Sequence, residues 1–377
     1  MKFQRIEDML LFQTIMDDSK LFVKELETMR KKKNSIDWLY IIECAKRNSI
    51  IPQVYIFFDI AKDIQVPKEI LEQLRRLYYK YLSYYLTANY TIKEIIKLFN
   101  KNNIRFLLIK GHSIDQFYPH SHYRQFLEID VLVSSVKKFK MACKKLRDFG
   151  YRVFPKRQLK EKHLFALNFA KKDRISIDLH KELIWGNHKN CKEELFRNKN
   201  IMKIDGSNLF TVSPEANILF ICSRLFESGY FLIRDIFDVI RIISYSKDQL
   251  KWDHILYSAQ KNNLLFPLLC LLYLVHFFYH PDLIPRSVFK QLSRNFFLKL
   301  IWALLKKTKI EFPLFWNSSV SKIGLLYGNL LKSKRNLKQF ILDVQRSGLS
   351  HELRFLLAQR IKQPIAFHYI KEMLIRK

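Results

Sequence analysis

Glycine is scarce in this sequence, with only 8 in 377 residues. No stretch matches the Walker A phosphate loop, the Gly-x-Gly-x-x-Gly dinucleotide fingerprint or the Gly-x-Ser-x-Gly nucleophile elbow. The classes of enzyme that depend on these loops are therefore excluded. Any bound phosphate must instead be held by Lys, Arg and the free amides of helix ends.

Cysteine and long apolar runs are also scarce. The five cysteines are scattered and form no Cys-x-x-Cys pair, which indicates reduced thiols in a cytoplasmic protein rather than a disulfide framework or a zinc site. The most hydrophobic window, Leu264–Phe278, contains Pro267 and His276 and is shorter than the ~20 residues that span a bilayer. The N-terminus shows no signal-peptide pattern. We therefore predict a cytoplasmic protein without an integral membrane segment.

Acidic side chains are few, 35 against 66 Lys and Arg, so the formal net charge is +31. Such a charge attracts polyanions, which predicts nucleotides, RNA or an anionic membrane as partners. Lysine enrichment from an AT-rich genome is the alternative source of part of this charge, and it would leave a merely solvated basic surface. The apolar content of 49 % predicts a globular chain, and the length predicts two or three domains.

Two carboxylates interrupt an apolar run at residues 127–133. If this run is a strand, Glu128 and Asp130 project to one face, because successive side chains alternate. Leu127, Ile129, Val131 and Val133 then fill the opposite face. Two neighbouring acids repel each other, and a divalent cation is the usual compensation for clustered oxygen ligands.

A third carboxylate has the same geometry. In the run from Arg174 to His180, apolar residues alternate with Ser176, Asp178 and His180. Residues 163–170, a polar turn and this run together predict a hairpin. Glu128, Asp130 and Asp178 are therefore candidate ligands for one or two Mg²⁺ or Mn²⁺ ions, with substrate phosphates completing the coordination.

Three regions are predicted along the chain: an N-terminal helical region (1–95), a core (96–185) and a C-terminal helical domain (186–377). The fold class is α+β and rich in helix, with a small mixed sheet in the core. The predicted core elements are strand 104–109, helix 111–118, strand 126–133, helix Ser135–Phe149 with Gly150 as its C-cap, and strands near 151–154, 163–170 and 174–180. From about residue 195 onward the chain is predicted to be helical.

Two helical segments outside the core resemble each other. The first runs from Trp38 to Pro52 and the second from Trp252 to Pro267, and in both the Trp precedes an Ala by seven residues. Two similar helical units on either side of the core would explain this pattern. Ordinary amphipathic helices that end at a Pro turn explain it equally well.

Five short stretches of the core form a recognisable pattern: Leu108-Ile109-Lys110-Gly111, Tyr118-Pro119, Arg124 followed by Glu128-Ile129-Asp130-Val131-Leu132-Val133, Gly150-Tyr151 and Ile177-Asp178-Leu179-His180. In these stretches the core resembles the bacterial uncharacterised nucleotidyltransferases of the polymerase-β-type superfamily. The family pattern has Asp where this chain has Glu128. The resemblance extends from about residue 96 to 185 and implies a polymerase-β-type core flanked by helical regions.

What the resemblance implies is Mg²⁺-dependent transfer of a nucleoside monophosphate from an NTP to an acceptor hydroxyl or phosphate, with release of pyrophosphate. Glu128, Asp130 and Asp178 would be the catalytic metal ligands, with Asp178 helping to deprotonate the acceptor. The residues expected to contact the nucleotide are Lys110, Gly111, His112, Ser113 and Arg124. For Arg124, bracing of the carboxylates is the alternative role.

The acceptor is not encoded in the motifs. The basic charge favours RNA, with tRNA as one case, while a small molecule or a peptide stays open, as does the oligomeric state. Glu128 supports a second hypothesis, a catalytically silent nucleotidyltransferase fold that binds RNA. A third is a peripheral protein on anionic membranes, with Asn295–Lys307 as the contacting helix. His180 is predicted to act behind the metal ligands, and Asp235 and Asp238 are predicted to be helix-surface or capping acids.

Overall fold

The computed structural model describes residues 5–16, 36–60, 66–120, 122–153, 166–183, 191–204, 206–228, 231–279, 282–292 and 294. The described helices are α1 (Ile6–Met16), α2 (Trp38–Arg47), α3 (Ile51–Ile60), α4 (Lys68–Lys101), α5 (Gly111–Asp115), α6 (Val136–Asp148), α7 (Cys191–Arg197), α8 (Pro214–Ser228), α9 (Ile233–Ser246), α10 (Trp252–Lys261), α11 (Leu265–Phe278) and α12 (Arg286–Leu292). The described strands are β1 (Phe106–Ile109), β2 (Glu128–Val133), β3 (Arg152–Val153), β4 (Ala166–Ala170), β5 (Ser176–His180), β6 (Asn200–Ile204) and β7 (Ser207–Thr211). The helix predicted at Asn295–Lys307 lies outside the described residues.

The described strands form one mixed sheet in the order β3-β4-β5-β2-β1-β7-β6. Strand β2 lies at its centre, antiparallel to β1 and parallel to β5. Strands β4 and β5 pair antiparallel, as the hairpin prediction required. The helix-rich α+β class with a mixed sheet is therefore confirmed.

Side chains of β2 alternate between two apolar cores. Ile129, Val131 and Val133 are fully buried on one face, in a cluster that includes residues of α4 and α6. Leu132 lies on the other face, in a cluster with residues of the N-terminal helices and of α8 to α11. Asp130 shares the face of Leu132 because the two positions differ by two residues. The carboxylate-bearing face of the sheet is therefore the one that the C-terminal helices cover.

The prediction for Leu127 was wrong. Strand β2 begins at Glu128, and Leu127 is 57 % exposed rather than packed beside Ile129. The alternation of side chains holds only within a strand, and residue 127 precedes the first residue of β2.

Helix α6 follows β2 as predicted, and its ends have clear local causes. The Ser135 side chain accepts a hydrogen bond from the backbone N–H of Lys138 at 3.2 Å, which caps the first turn. Phe139, Ala142, Cys143 and Leu146 recur on one buried face. Gly150 follows the last turn with φ +90°, a conformation that glycine adopts without strain.

The sheet extends beyond the predicted core, because residues 200–211 form a hairpin. The prediction of helix from about residue 195 was wrong here: β6 and β7 pair antiparallel, and Leu108 of β1 pairs with Thr211 of β7. The sequence carried the signal, since Asp205-Gly206 between two alternating runs is a strong hairpin pattern. Gly206 has φ +80° at this turn.

The two Trp-containing segments adopt the same helix–turn–helix conformation. Helices α2 and α10 each span 10 residues and end at an Asn, and the next residue has a positive φ, 56° at Ser49 and 59° at Asn263. In each turn a backbone N–H bonds to the carbonyl of the shared Ala: Ile50 to Ala45 at 3.0 Å and Leu264 to Ala259 at 2.7 Å. The two segments are therefore similar in structure as well as in sequence.

The two capping asparagines differ in what else they bind. Asn48 Nδ2 donates to the Cys44 carbonyl, and its Oδ1 accepts from the backbone N–H of Ile233 at 3.1 Å, which links α2 to the start of α9. Asn262 Nδ2 donates to the Ser258 carbonyl, while its buried Oδ1 has no hydrogen-bond partner among the described residues. Only the first asparagine therefore joins two separate parts of the fold.

Asn48→Ala is expected to lower the free energy of unfolding by about 2–3 kcal/mol, and Asn262→Ala by about 1 kcal/mol. The first change leaves the buried N–H of Ile233 without its acceptor, whereas the second removes a single local bond. Urea unfolding of both variants measures the difference. Equal losses would show that the bond to Ile233 contributes nothing measurable.

None of the described helices combines the length and apolarity needed to cross a bilayer. The 34-residue α4 is long enough, about 51 Å at 1.5 Å per residue, but it carries many charges. The five cysteines are all buried and free, as their scattered positions predicted. Residues Leu265–Phe278 of the most hydrophobic window form helix α11, and most of its described side chains are buried.

Candidate active site

The pairing of β2 with β5 brings two aspartates together. Asp130 and Asp178 are direct partners in the parallel register, and His180 lies two residues after Asp178 on the same face. One ligand atom from each of these three side chains lies within 4.8 Å of the other two. In the described part of the chain, this is the only such group of three residues, so the arrangement is distinctive as well as compact.

Asp130 is the most constrained of these residues. Its Oδ1 lies 3.1 Å from Lys110 Nζ and 3.0 Å from His180 Nε2, and its side chain is almost fully buried. Burial by itself raises the pKa of the carboxyl, but the charge of Lys110 and the hydrogen bond from His180 outweigh it and lower the pKa to about 2. Asp130 is therefore ionised at neutral pH.

Glu128 differs from Asp130 although both lie on the same strand face. Although the Glu128 side chain is exposed to solvent, partial desolvation of its carboxyl, together with the charges of Asp130 and Asp178, raises the pKa of Glu128 to about 7, while Lys110 and Arg234 act in the opposite direction. Its ligand atoms do not belong to the group formed by Asp130, Asp178 and His180. Near neutral pH both the protonated and the ionised form of this carboxyl are therefore populated.

Asp178 is oriented from the neighbouring strand. Asn168 of β4 pairs with Asp178 in the antiparallel register, and its Nδ2 donates to Asp178 Oδ1 at 3.2 Å. The second oxygen, Oδ2, lies 3.9 Å from His180 Nε2. Sequence reasoning missed Asn168, although its position in the hairpin opposite Asp178 was readable from the two strand patterns.

The turn between β1 and α5 holds Lys110 beside Asp130. Lys110 has φ 53° and ψ −125°, a backbone conformation that residues other than glycine rarely adopt. The following Gly111 leaves space for Arg124: a Cβ at this position would lie 3.3 Å from Arg124 Nη1 and 3.4 Å from Phe126 Cβ. Gly111 therefore allows the backbone to pack closely under the guanidinium group of Arg124.

Arg124 forms a buried ion pair with Asp238 of α9. Its Nε donates to Asp238 Oδ1 at 2.9 Å and its Nη2 to Oδ2 at 2.8 Å, and the Tyr118 hydroxyl also donates to Oδ1 at 2.7 Å. Asp238 is fully buried, so its prediction as a surface acid was wrong. Asp235 does cap α9, because its Oδ2 accepts from the N–H of Leu232 at 2.9 Å.

A cavity of about 330 Å³ lies between the sheet and helices α8 and α9, and Asp130 lines it whereas Asp178 and His180 do not. The charged side chains that line it are Lys110, Arg124, Glu128, Asp130, Arg224, Arg234, Asp235 and Asp238. Gly111 lines it as well. Arg224 and Arg234 were not singled out from the sequence, because α8 and α9 carry no local motif that marks them.

The other two residues predicted to contact a nucleotide are buried near the cavity and do not line it. His112 is 2 % exposed and packs against Phe126 with ring centroids 3.6 Å apart and the planes tilted by 45°. Burial together with the charge of Arg124 lowers its pKa to about 3. Ser113 Oγ lies 2.9 Å from the Lys110 carbonyl and 2.5 Å from Asn217 Oδ1. The structure therefore gives both residues contacts that position the Lys110 turn.

Asp115 at the end of α5 should make the protein less stable as the pH rises. Burial raises the pKa of its carboxyl to about 8 and Asp238 adds to this, while Arg124 and the Tyr85 hydroxyl at 3.3 Å oppose it. The folded protein therefore keeps a proton that the unfolded chain releases near pH 4. The resulting stabilisation is full below about pH 4, declines above it and is lost by about pH 8.

Thermal unfolding between pH 5 and 9 measures this effect. The melting temperature of the wild type is expected to fall across this range, and that of Asp115→Asn to fall less, since the amide stays neutral. Asp8, whose pKa burial raises to about 6, changes stability in the same direction and contributes to both curves. Parallel curves for the two proteins would contradict the role of Asp115.

The chain shows limited similarity to individual known proteins. No curated protein matches the sequence significantly. Three solved structures resemble parts of the chain: the antibiotic-resistance factor ANT(2'')-Ia (14 % identity, 46 % of this chain and 91 % of that chain, TM-score 0.34), the lincosamide antibiotic adenylyltransferase LnuA bound to lincomycin (19 %, 41 % and 95 %, 0.31) and an antigenic nucleotidyltransferase-like protein from Paracoccidioides brasiliensis (13 %, 48 % and 91 %, 0.32).

The family comparison covers more of the chain. The sequence profile described as "Uncharacterised nucleotidyltransferase" matches residues 34–280, which include every described strand and the charged residues of the cavity. This range is more than half of the 377 residues. The chain therefore belongs to the uncharacterised nucleotidyltransferase family.

Proposed function

We propose that this protein transfers a nucleoside monophosphate from an NTP to an acceptor, with Mg²⁺ or Mn²⁺ as cofactor and pyrophosphate as the second product. The observation that carries the proposal is the pairing of Asp130 with Asp178 across β2 and β5, beside a cavity that Lys110 also lines. Two neighbouring acids on parallel strands, with a lysine against one of them, suit a reaction centred on a metal and a phosphate.

The residues present fit a divalent cation. Two aspartate carboxylates and an imidazole offer ligand atoms within 4.8 Å of one another, and hard oxygen ligands suit Mg²⁺ and Mn²⁺. Asp130 and Asp178 would hold the ion, with His180 as a further ligand or as a donor that orients Asp130. Glu128, on the same face of β2, would have to turn its carboxyl toward them to join the ligand set. A bound cation would supply charge stabilisation at the α-phosphate and lower the pKa of the attacking hydroxyl.

The chain's own residues have separate roles in this scheme. The acceptor oxygen forms a bond to the α-phosphorus, the bond from that phosphorus to the leaving oxygen breaks, and Asp178 takes the acceptor proton. Asn168 holds Asp178 in place through its bond to Oδ1. Lys110 balances the charge of Asp130 and lies close enough to the cavity to contact a phosphate oxygen.

An RNA acceptor, with tRNA as one case, is the favoured class. The net charge of +31 supports it, and so do the exposed aromatic residues of α4 that lie beside cationic groups. Arg75 lies over the Tyr79 ring at 5.7 Å, and Arg174 lies over Tyr90 at 4.5 Å, with both tyrosines about half exposed. Stacking rings next to positive charge are typical of surfaces that bind single-stranded nucleic acid.

The proposal is tested with purified protein, each α-³²P-labelled NTP, Mg²⁺ or Mn²⁺, and either total RNA or a small-molecule extract. Label that moves to an acceptor, and does not move with Asp130→Asn, would support the proposal and identify both the NTP and the acceptor class. Absence of transfer from all four NTPs with both acceptor pools would count against it.

The second candidate is a catalytically silent RNA-binding protein with the same fold. It is favoured by Glu128, which replaces the Asp of the family pattern and whose pKa is raised to about 7 by partial desolvation and by its two acidic neighbours. It predicts RNA binding that needs no Mg²⁺ and is the same in Asp130→Asn. A gel-shift titration with and without EDTA distinguishes the two functions.

A further inference from the structure

Two arginines from the C-terminal helices share one carboxylate at the cavity wall. Arg224 Nε lies 2.8 Å from Asp235 Oδ2, and Arg234 Nη2 lies 3.4 Å from Asp235 Oδ1. Among the described residues, Asp235 is the one acid within ion-pair distance of either arginine. Asp235 also accepts the N–H of Leu232, so its position is set by the start of α9.

The guanidinium of Arg234 is poorly satisfied by the protein. It makes two long contacts of 3.4 Å, to Asp235 and to the Gln125 carbonyl, at the limit of hydrogen-bond distance. Its buried Nε has no hydrogen-bond partner among the described residues. Burial lowers the pKa of Arg234, and the charges of Arg124 and Arg224 lower it further, against the effect of Asp235. A site with this excess of donors and positive charge favours an anionic ligand.

Two other acids of the cavity, Asp238 and Asp130, are already engaged. Asp238 accepts hydrogen bonds from Nε and Nη2 of Arg124, and Asp130 lies against Lys110 and His180. Arg224 and Arg234 share only Asp235, so together they leave a net positive charge in the same cavity as Glu128 and Asp130. Arg224 is about one third exposed. The arginine site and these carboxylates are therefore adjacent, since they line one cavity.

We propose that Arg224 and Arg234 form a polyphosphate subsite that binds the β- and γ-phosphates of the NTP and, after transfer, the leaving pyrophosphate. This inference rests on the proposed function for the identity of the ligand. Planar guanidinium groups bind phosphate oxygens in pairs, and Asp235 holds the two arginines ready to do so. The cavity volume of about 330 Å³ is at the lower end of the range for small-ligand sites, which suits the phosphate part of a nucleotide.

The test measures binding of inorganic tripolyphosphate and pyrophosphate to the full-length protein by calorimetry. Arg234→Gln and Arg224→Gln are each expected to weaken binding about tenfold or more, since a charge-assisted hydrogen bond contributes enough for that factor. Arg76→Gln, which removes the same charge from an exposed position on α4, is the matched control and should bind like the wild type. Circular dichroism shows whether each variant folds. If Arg234→Gln does not fold, Arg224→Gln still tests the subsite, because Arg224 lies at a partly exposed position.

A comparison of NTP binding with binding of the corresponding NMP adds a further test. A purely structural role of the arginines would not distinguish the two nucleotides. Arg224→Gln should weaken NTP binding and leave binding of the corresponding NMP unaltered, because the NMP lacks the β- and γ-phosphates. A wild type that does not bind tripolyphosphate, or arginine variants that bind it as the wild type does, would overturn the subsite. Weaker binding of RNA with unchanged tripolyphosphate binding would also overturn it, since the ligand would then be a nucleic-acid backbone.

The subsite and the transfer reaction can fail separately. Tripolyphosphate binding that is lost in both arginine variants, in a protein that transfers no label from any NTP, would support the subsite and contradict the proposed function. Label transfer with tripolyphosphate binding that does not depend on Arg224 or Arg234 would support the function and contradict the subsite.

Discussion

Asp130→Asn is expected to lower nucleotidyl transfer by about a thousandfold. Charge stabilisation by a bound metal contributes several kcal/mol to such reactions, and each 1.36 kcal/mol corresponds to a factor of ten in rate. Asn keeps the size of the side chain but loses the anion that Lys110 and His180 now contact through Oδ1. Asp178→Asn should produce a loss of similar size, because Asp178 is the register partner of Asp130.

Initial rates of label transfer at saturating NTP measure this loss. The matched control is Asp148→Asn, an exposed acid at the end of α6, which should keep the wild-type rate. Circular dichroism and the melting temperature test whether the Asp130 variant is folded. We expect it to fold, because Lys110 is about 30 % exposed and water can solvate its charge when the acid is removed. An Asp130→Asn protein that transfers at more than about a tenth of the wild-type rate would rule out a central role for this carboxylate.

Arg124→Met is expected to lower the free energy of unfolding by about 3–5 kcal/mol, the cost of breaking a buried ion pair by removing one partner. Asp238 is fully buried, and without Arg124 the Tyr118 hydroxyl is its one remaining side-chain hydrogen-bond donor among the described residues. Arg124 also packs over Gly111, so the same change loosens the turn that holds Lys110. The effect should therefore combine an uncompensated buried charge with lost packing.

The double variant Arg124→Met/Asp238→Leu separates these two contributions. Apolar replacement of both partners should restore most of the lost stability, but not all of it, since the buried Tyr118 hydroxyl then lacks its acceptor. Urea unfolding of the two single variants and the double variant gives the coupling energy, with the exposed Arg76→Met as a control for loss of charge. A double variant no more stable than Arg124→Met alone would show that the unpaired acid is not the cause of the loss.

Several features of the fold follow from local patterns in the sequence. Alternation within residues 128–133 predicted which face of β2 carries the acids, and the predicted helix Ser135–Phe149, with Gly150 after it, agrees with α6 to within one residue at each end. The two Trp-containing segments share spacing because they share a helix–turn–helix conformation. The hairpin at residues 200–211 was missed even though its Asp-Gly turn and alternating runs are local signals.

The sequence by itself determined the α+β class, the family motifs and the strand faces, because side-chain alternation, capping and turn residues act over a few positions. Only the tertiary structure decided that Asp130 and Asp178 are register partners, that Arg124 pairs with Asp238, and that Arg224 and Arg234 line the same cavity as the acids. These residues are separated by tens of positions along the chain. Contacts over such distances arise from the pairing of β2 with β5 and from packing of the sheet against α8 and α9, for which a local sequence pattern carries no signal.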